Sequence, residues 1–228
     1  MMTRFADMLT HKKLTLIMSL PENQPALCRA AFEEGADVVK VHINVEHRAS
    51  GTHFGRLEQE RAVLEEMLEK AKGPMGLVPG ASVETAMADL PAAAEMGFDF
   101  FSIYAHHMPV GIPVRGQTWM VACDGTYAPE EVSAMERMGA GVVEASIMPG
   151  SEYGQPLCMR DLLRYHALAE RTSLPVVVPT QRLILPQQVQ ALGQTGVRGL
   201  MIGAVVTGRT EESIRRAVNA FRNAIDRM

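Results

Sequence analysis

The sequence predicts an α/β fold in which eight parallel strands close into a (β/α)8 barrel, with residues 1–228 forming a single domain. Short apolar runs alternate with longer amphipathic stretches along the whole chain, which is the pattern of parallel strands joined by right-handed crossovers. There are eight such runs, and 228 residues come close to the roughly 250 that a TIM barrel takes. An open doubly wound sheet is the competing fold, but no GxGxxG fingerprint follows the first run.

The predicted strands are rich in Val, Ile, Leu and Met, and several are bounded by Gly or Pro. Continuous apolar runs of this kind are expected of strands that are buried on both faces. The predicted strands are 14–20, 37–45, 74–80, 98–105, 118–125, 140–148, 174–181 and 197–205.

The predicted helices lie between these strands, and several open with Ser, Thr or Pro near acidic residues and close on Gly. This asymmetry is typical of helix caps. The predicted helices are 24–36, 56–73, 82–97, 128–139, 159–172, 185–196 and 210–228. The segment 107–117 contains two prolines and little helical pattern, so it is predicted to be a loop with at most a short helix.

The composition excludes several classes of partner. A formal net charge of −4 gives no basic stripe of the kind that nucleic acid requires. No apolar run approaches the roughly 20 residues needed to cross a bilayer, and the N-terminus lacks the apolar core of a signal peptide. The three cysteines, Cys28, Cys123 and Cys158, are far apart and fit reduced thiols. We therefore expect a cytoplasmic protein that binds neither nucleic acid nor membrane.

The second predicted strand carries the most informative polar residues. Side chains alternate between faces at a period of two, so Lys40, His42 and Asn44 share one face and are predicted to point into the barrel. A buried lysine needs a carboxylate or an anionic ligand, because burying it unpaired is costly. Two interpretations remain open: a structural ion pair with Glu144, or a catalytic row that rises toward the mouth of the barrel.

Other strand ends supply further candidates, since the active sites of such barrels lie where the strands end. Glu144 lies within the sixth strand, and we predict it to be an acid or base or the counter-ion of Lys40. Asp124 ends the fifth strand and is either a site residue or a turn former. The loop after the second strand is unusually polar, and its residues are either anion ligands or solvated surface; they include His47, Arg48, Ser50 and His53.

The ends of the last two strands predict a phosphate site. Arg182 follows the seventh strand, and an arginine at a barrel mouth suits phosphate or carboxylate. Gly203 and Ala204 follow the eighth strand and precede helical sequence, so small residues there let an anion approach backbone N–H groups. Tight packing between helix and strand is the alternative reason for Gly203.

From about residue 116 onward, the chain resembles N-acetylmannosamine-6-phosphate 2-epimerase and the wider group of ribulose-phosphate-binding barrels. The segments that carry the resemblance are MVACDGTYAPEEVSAMERMGAGVVEASIMPGSEYG, LPVVVPTQRLILPQQVQALGQTGV and LMIGAVVTGRTEESIRRAVNAF. The resemblance implies that Asp124 lies near a sugar, that Arg182 is the family's arginine after strand 7, and that Gly203 and Ala204 form the phosphate-binding turn. Its two catalytic positions differ: LVPGA (77–81) replaces a Lys-Arg-Asp run, and PTQR (179–182) replaces Ala-Glu-Gly-Arg.

A second resemblance concerns GADVVKVHINVEHRASGTHFG, which is similar to the strand-2 segment of ribulose-phosphate 3-epimerase, where His-x-Asp contributes metal ligands. Here the pair is His42 and Asn44, and Asn is a poorer ligand for a divalent ion. No cofactor is therefore expected. The alternative is a divalent metal held among His42, His107, Asp124 and Glu144.

Together these features predict an enzyme that acts on a small phosphorylated sugar or related phosphorylated metabolite. The reaction type is an isomerisation, an epimerisation or a carbon–carbon cleavage, with a Schiff base on Lys40 as one variant. The predicted catalytic residues are Lys40, His42, Asn44, Asp124 and Glu144, and the predicted phosphate ligands are Arg182, Gly203 and Ala204. The alternatives are a non-catalytic barrel that binds a phosphorylated metabolite and a metal-dependent sugar-phosphate epimerase. The 16 methionines and the apolar helix faces predict a homo-oligomer.

Overall fold

A computed structural model describes residues 3–112 and 116–228. Within these ranges there are ten strands, and eight of them form the barrel. The strands are β1 (Thr15–Ser19), β2 (Val38–His42), β3 (Val45–His47), β4 (Thr52–Phe54), β5 (Met75–Val78), β6 (Phe100–Tyr104), β7 (Thr118–Cys123), β8 (Val142–Ala145), β9 (Val176–Pro179) and β10 (Gly199–Ile202).

The barrel is closed and parallel, with the strand order β1-β10-β9-β8-β7-β6-β5-β2. Each barrel strand lies within one of the eight predicted runs, so the predicted (β/α)8 barrel is confirmed. The order also places β2 opposite β8, and β6 opposite β10, across the closed ring. These two diagonals position the site described below.

Helices pack around the barrel and cover its outer face. They are α1 (Arg4–His11), α2 (Pro25–Glu33), α3 (Leu57–Lys70), α4 (Val83–Ala94), α5 (Pro129–Ala134), α6 (Met159–Ala169), α7 (Val189–Gly193), α8 (Ala204–Thr207) and α9 (Glu211–Asp226). Single 3-10 turns occur at Ala105–His107, Gly150–Glu152 and Pro186–Gln188. The first of these ends at His107, where the predicted loop 107–117 begins; residues 113–115 of that loop lie outside the described part.

Besides the four-residue helix α8, two elements have no counterpart among the predicted helices and strands. Helix α1 closes the lower end of the barrel, where Phe5 stacks on Phe100 at a ring-centroid distance of 3.9 Å. Strands β3 and β4 form an antiparallel hairpin in the loop after β2, at the opposite end. Arg209 Nη2 links this hairpin to the loop after β1, because it donates to Thr52 Oγ1 at 3.3 Å and to Glu22 Oε1 at 2.7 Å.

An apolar layer fills the lower half of the barrel interior, and Phe5 and Leu9 of α1 pack against it from below. A Cβ at Gly76 would overlap the Phe100 ring, so glycine makes room for this large side chain inside the barrel. The layer consists of Ile17, Val38, Phe100, Met120, Val142, Val177 and Met201. Because this layer closes the interior from below, any chemistry in the barrel has to occur above it.

Candidate active site

The interior becomes polar directly above the apolar layer. Side chains that point inward recur every second residue, so the next inward position on each strand lies two residues further along. Those next positions are Ser19, Lys40, Ser102, Ala122, Glu144, Pro179 and Gly203. Another two residues along, the inward positions include His42, Tyr104, Asp124, Ser146 and Gln181. All twelve line one open cavity of about 1080 Å³ at the end where the strands terminate.

A buried ion pair crosses the floor of this cavity from β2 to β8. Lys40 Nζ lies 3.4 Å from Glu144 Oε2, and both side chains are less than a tenth exposed. Ser102 Oγ donates to Glu144 Oε2 at 2.7 Å, and Ser146 Oγ donates to Glu144 Oε1 at 2.8 Å. The carboxylate of Glu144 is thus surrounded by two hydroxyl donors and an ammonium group. The ion pair expected from the sequence is thus present, at the base of an open cavity.

Two imidazoles lie next to this ion pair. The ring of His42 is buried, 4.6 Å from the ring of His47 and 4.8 Å from that of Phe54. Desolvation lowers the pKa of His42 well below its ordinary value, and the charges of His47 and Lys40 act in the same direction. The pKa of His47 falls to about 4, mainly through desolvation and also through Lys40. Both imidazoles are therefore neutral at pH 7 and available as donors or acceptors.

Aromatic side chains line the β6 and β7 side of the cavity. Tyr104 and His106 are stacked with ring centroids 5.2 Å apart, and His107 meets His106 edge-on at 4.2 Å. The hydroxyl of Tyr127 accepts the backbone N–H of His106 at 3.1 Å and lies 2.9 Å from its Nδ1. Burial raises the pKa of Tyr104, so its phenol remains protonated.

Asp124 occupies the mouth of the cavity and also stabilises a turn. Its Oδ1 accepts the backbone N–H of Thr126 at 2.8 Å and the hydroxyl of the same residue at 2.6 Å. These hydrogen bonds hold the pKa of Asp124 below its usual range. Both roles considered from the sequence, site residue and turn former, are compatible with this position.

The turn after β10 reaches the cavity through Gly203, whereas Ala204 does not line it. Gly203 lines the cavity, and its N–H donates to Thr180 Oγ1 at 3.0 Å. A Cβ at Gly203 would lie in ordinary contact, 3.6 Å from Ser19 O, so close packing does not demand glycine here. The missing side chain instead leaves space above the backbone. Ala204 begins the short helix α8 at this place.

Arg182 does not contribute to the cavity, contrary to its predicted role as a phosphate ligand. Its guanidinium is buried between two carboxylates: Nε lies 3.0 Å from Asp161 Oδ2, and Nη2 pairs with Glu152. Asp161 is almost fully buried at the start of α6. Because both carboxylates pair with the guanidinium, Arg182 links the segment after β9 to the β8–α6 connection.

Asn44 also departs from its predicted position. The row of Lys40 and His42 ends at His42, because Asn44 adopts a left-handed backbone conformation with φ of 55°. Its amide nitrogen donates to Pro79 O at 3.1 Å and to Asp89 Oδ2 at 2.8 Å, away from the cavity. Asn tolerates this conformation better than most residues, and here it joins the β2, β5 and α4 segments.

The candidate metal ligands do not assemble into a metal site. Among residues 3–112 and 116–228, no group of three or more His, Cys, Asp or Glu side chains is placed to hold a metal ion. His42, His107, Asp124 and Glu144 all line the cavity, but Glu144 is engaged by Lys40 and two serines, and Asp124 by Thr126.

Three contributors to the site were not singled out from the sequence: Ser102, Ser146 and Gln181. Each lies two or four residues after a residue of the apolar layer on the same strand, and therefore points inward. The alternation within FDFFSIYA and VVEASIM could have identified both serines as inward-facing. Arg48, named only as one of several loop candidates, lies at the rim with its guanidinium 5.7 Å from the centroid of the Tyr153 ring.

No helix in the described ranges is long and apolar enough to cross a membrane.

Comparison with known proteins supports the fold. No protein-family model matches the chain. No curated protein matches it either. Among solved structures, thiamine phosphate pyrophosphorylase from Pyrococcus furiosus is 16% identical with a TM-score of 0.63, over 95% of this chain and 97% of that chain.

Two further solved structures give the same result. A mutant tryptophan synthase alpha-subunit from Pyrococcus furiosus is 16% identical with a TM-score of 0.70, over 92% of this chain and 98% of that chain. KGPDC from Streptococcus mutans is 14% identical with a TM-score of 0.66, over 95% of this chain and 99% of that chain. At these identities the likeness shows the fold alone, and no epimerase is among the three. The chain therefore shares the eight-stranded parallel barrel fold of these proteins, as its sequence predicted.

Proposed function

We propose that the chain is an enzyme that acts on a small phosphorylated sugar or related phosphorylated metabolite, through an enolate formed between Lys40 and Glu144. The observation that carries this proposal is the buried ion pair on the cavity floor, 3.4 Å from Nζ to Oε2. Isomerisation, epimerisation and carbon–carbon cleavage beside a carbonyl share the enolate. Formation of this enolate is therefore the step that we assign to the cavity.

Each partner of the pair has a defined task in that step. The carboxylate of Glu144 removes a proton from the carbon next to a substrate carbonyl, and the ammonium of Lys40 donates a hydrogen bond to the oxygen that becomes negative. Delivery of a proton to the opposite face of the same carbon completes an epimerisation, and delivery to the neighbouring carbon completes an isomerisation. Ser102 and Ser146 hold the carboxylate in place, because each donates to one of its oxygens.

The rim of the cavity suits an anionic ligand. Arg48, Arg164 and Arg171 line it, and in the described part of the chain none has a carboxylate within 4.0 Å. Gly203 lines the cavity without a side chain in the turn after β10, and many barrels bind phosphate in the turns after their last two strands. With Arg182 committed to Asp161 and Glu152, the phosphate would be bound by this turn without an arginine from β9.

Exchange of substrate hydrogen with solvent tests the enolate without knowledge of the product. The chain is incubated with triose, pentose and hexose phosphates in D2O, and the carbon beside the carbonyl is followed by proton NMR. We expect deuterium to enter at that carbon with one class of substrate. The rate should fall by about 10²–10⁴-fold in Glu144→Gln, which removes the base.

Glu46→Gln is the matched control, because Glu46 also lines the cavity but contacts only the exposed His53. This variant should exchange at the rate of the native chain. If phosphosugars bind and none exchanges, the chain is a non-catalytic binding barrel. If none binds, the choice of phosphorylated substrates is wrong.

A Schiff base on Lys40 is the second candidate, and its motivation is the position of an interior lysine on the cavity floor. An amine nucleophile must be uncharged to attack a carbonyl, and here the amine lies 3.4 Å from the carboxylate of Glu144. Borohydride reduction in the presence of each phosphosugar separates the two candidates. An adduct on Lys40 establishes the lyase, and exchange without an adduct establishes the enolate mechanism.

A further inference from the structure

Aromatic side chains are concentrated in the cavity of a chain that has few of them. Phe, Trp and Tyr make up 5% of the sequence, with only four tyrosines. Three of those tyrosines and four of the seven histidines line the cavity. They are Tyr104, Tyr127, Tyr153, His42, His47, His106 and His107. Of these seven rings His106 is exposed, His42 is buried and the other five are half-buried, so most of them present part of a ring to the open cavity, where a ligand can stack.

The rings on the β6 side are held in a fixed arrangement. Tyr104 and His106 are within 23° of parallel, and His107 stands at 77° to His106. Tyr127 fixes His106 through both its backbone N–H and its ring nitrogen. A surface that is ordered before binding loses less conformational entropy when a ligand stacks on it.

The strand order places these rings at the far end of the cavity from the phosphate turn. Tyr104 ends β6 and Gly203 follows β10, and these two strands face each other across the barrel. Strands β2 and β8 also face each other across the barrel. Lys40 of β2 and Glu144 of β8 are in direct contact, so two side chains are enough to cross the interior. A substrate with its phosphate at Gly203 therefore has its reacting carbons over the ion pair and its other end against Tyr104 and His106.

The size of the cavity agrees with such an extended substrate. Its volume of about 1080 Å³ lies at the upper end of the range of about 300–1000 Å³ for small-molecule pockets. A triose or pentose phosphate alone would leave the β6 side unfilled. A planar ring attached to the phosphorylated part would fill that side.

We propose that the substrate carries a planar aromatic or heteroaromatic group at the end remote from its phosphate, and that Tyr104 and His106 form the surface that binds it. This inference rests on the proposed function, because the phosphate sets the direction in which the substrate lies. It narrows the substrate class from phosphosugars in general to phosphorylated metabolites that contain an aromatic ring.

Calorimetric titration of the whole chain with three probes tests the inference. The probes are inorganic phosphate, 2-phenylethyl phosphate and 2-cyclohexylethyl phosphate; the two esters differ in aromaticity at similar size. We expect the phenyl ester to bind about three- to tenfold more tightly than the cyclohexyl ester. In His106→Ala, whose side chain is exposed, and in Tyr104→Leu, this preference should disappear while the Kd for inorganic phosphate is unchanged.

His11→Ala is the control, since His11 is exposed on α1 at the closed end of the barrel and should leave the preference intact. Equal affinity of the native chain for the two esters, with phosphate still bound, would overturn the inference alone. A preference that survives both His106→Ala and Tyr104→Leu would also overturn it. If none of the three probes binds, the proposed function fails and the inference fails with it.

Discussion

Burial keeps two imidazoles uncharged beside Lys40, and this has a consequence for stability. The pKa of His47 is about 4, compared with an ordinary value of 6.5, because the folded chain removes the ring from water and places it near a cation. The unfolded chain therefore binds more protons than the folded chain between these two pH values. Stability rises with pH wherever the unfolded state binds the extra proton.

The expected result is a loss of stability as the pH falls from about 6.5 to about 4, with little further contribution from His47 outside that window. Urea midpoints at pH 7.5 and 5.0 measure it. In His47→Gln the difference between the two midpoints should shrink. His53→Gln, in the same hairpin but exposed, should keep the native difference; an unchanged difference in His47→Gln would show that other groups cause the loss.

Arg182 lies after β9, where an arginine was expected to bind phosphate, but its ion pairs give it a structural role. Replacement by Gln leaves the buried Asp161 without its partner, and breaking a buried pair in this way costs roughly 3 kcal/mol of unfolding free energy. The Kd for inorganic phosphate should not change, because the guanidinium does not reach the cavity. Urea denaturation and calorimetry give the two values. A large loss of phosphate affinity in folded Arg182→Gln would restore the role predicted from the sequence.

The same residues show what single positions in the sequence reveal. Lys40, His42 and Glu144 were identified because charged residues interrupt apolar alternation, and alternation is a local property. Asn44 could not be placed in the same way, since the strand ends before it and its positive φ turns the side chain elsewhere. For Arg182, the partner Asp161 is distant in the sequence, so the ion pair depends on the fold.

At the scale of elements, the eight barrel strands were predictable and two smaller elements were not. Long apolar runs between Gly and Pro identify buried strands, although the observed strands are shorter than the predicted runs. Helix α1 buries Phe5 and Leu9 with Met8 beside them, an i, i+3, i+4 set that spans little more than one turn, so the helical signal was present but short. The strands of the hairpin have three residues each and no alternation to recognise.

Helix α1 should nevertheless contribute strongly to stability. Phe5 is fully buried, stacks on Phe100 and closes the apolar layer from below. We expect Phe5→Ala to lower the unfolding free energy by about 3–5 kcal/mol, as for other buried aromatic residues. Arg4→Ala, an exposed change in the same helix, should have almost no effect. Urea denaturation of both variants decides whether α1 belongs to the cooperative unit; equal midpoints would exclude it.

At the scale of the whole molecule, the closed barrel followed from the alternation of elements and the length, but self-association remains a prediction. Four apolar side chains are exposed near the start of α6 and after β9. Leu183 N donates to Gln155 O at 2.9 Å, which brings the second segment next to the first. The four are Met159, Leu163, Leu183 and Leu185, with exposures of 69%, 60%, 37% and 45%.

If this patch joins two copies of the chain, a charge placed in it should separate them. Sedimentation velocity should give a species larger than 24.9 kDa for the native chain and a monomer for Leu163→Glu. Met87→Glu, an exposed apolar position on α4, is the control and should sediment like the native chain. A native monomer at all concentrations would rule out the predicted homo-oligomer.

The lower, apolar layer of the barrel interior supplies packing energy, and the upper, polar layer surrounds the cavity. The side chains that close the lower barrel and those that surround the ion pair lie on the same strands, two residues apart, yet the lower ones form a packing cluster of their own. A substitution at an upper position can change the reaction while the lower layer still supplies its packing energy. Such a scaffold can acquire a new activity through a few replacements without first gaining stability elsewhere.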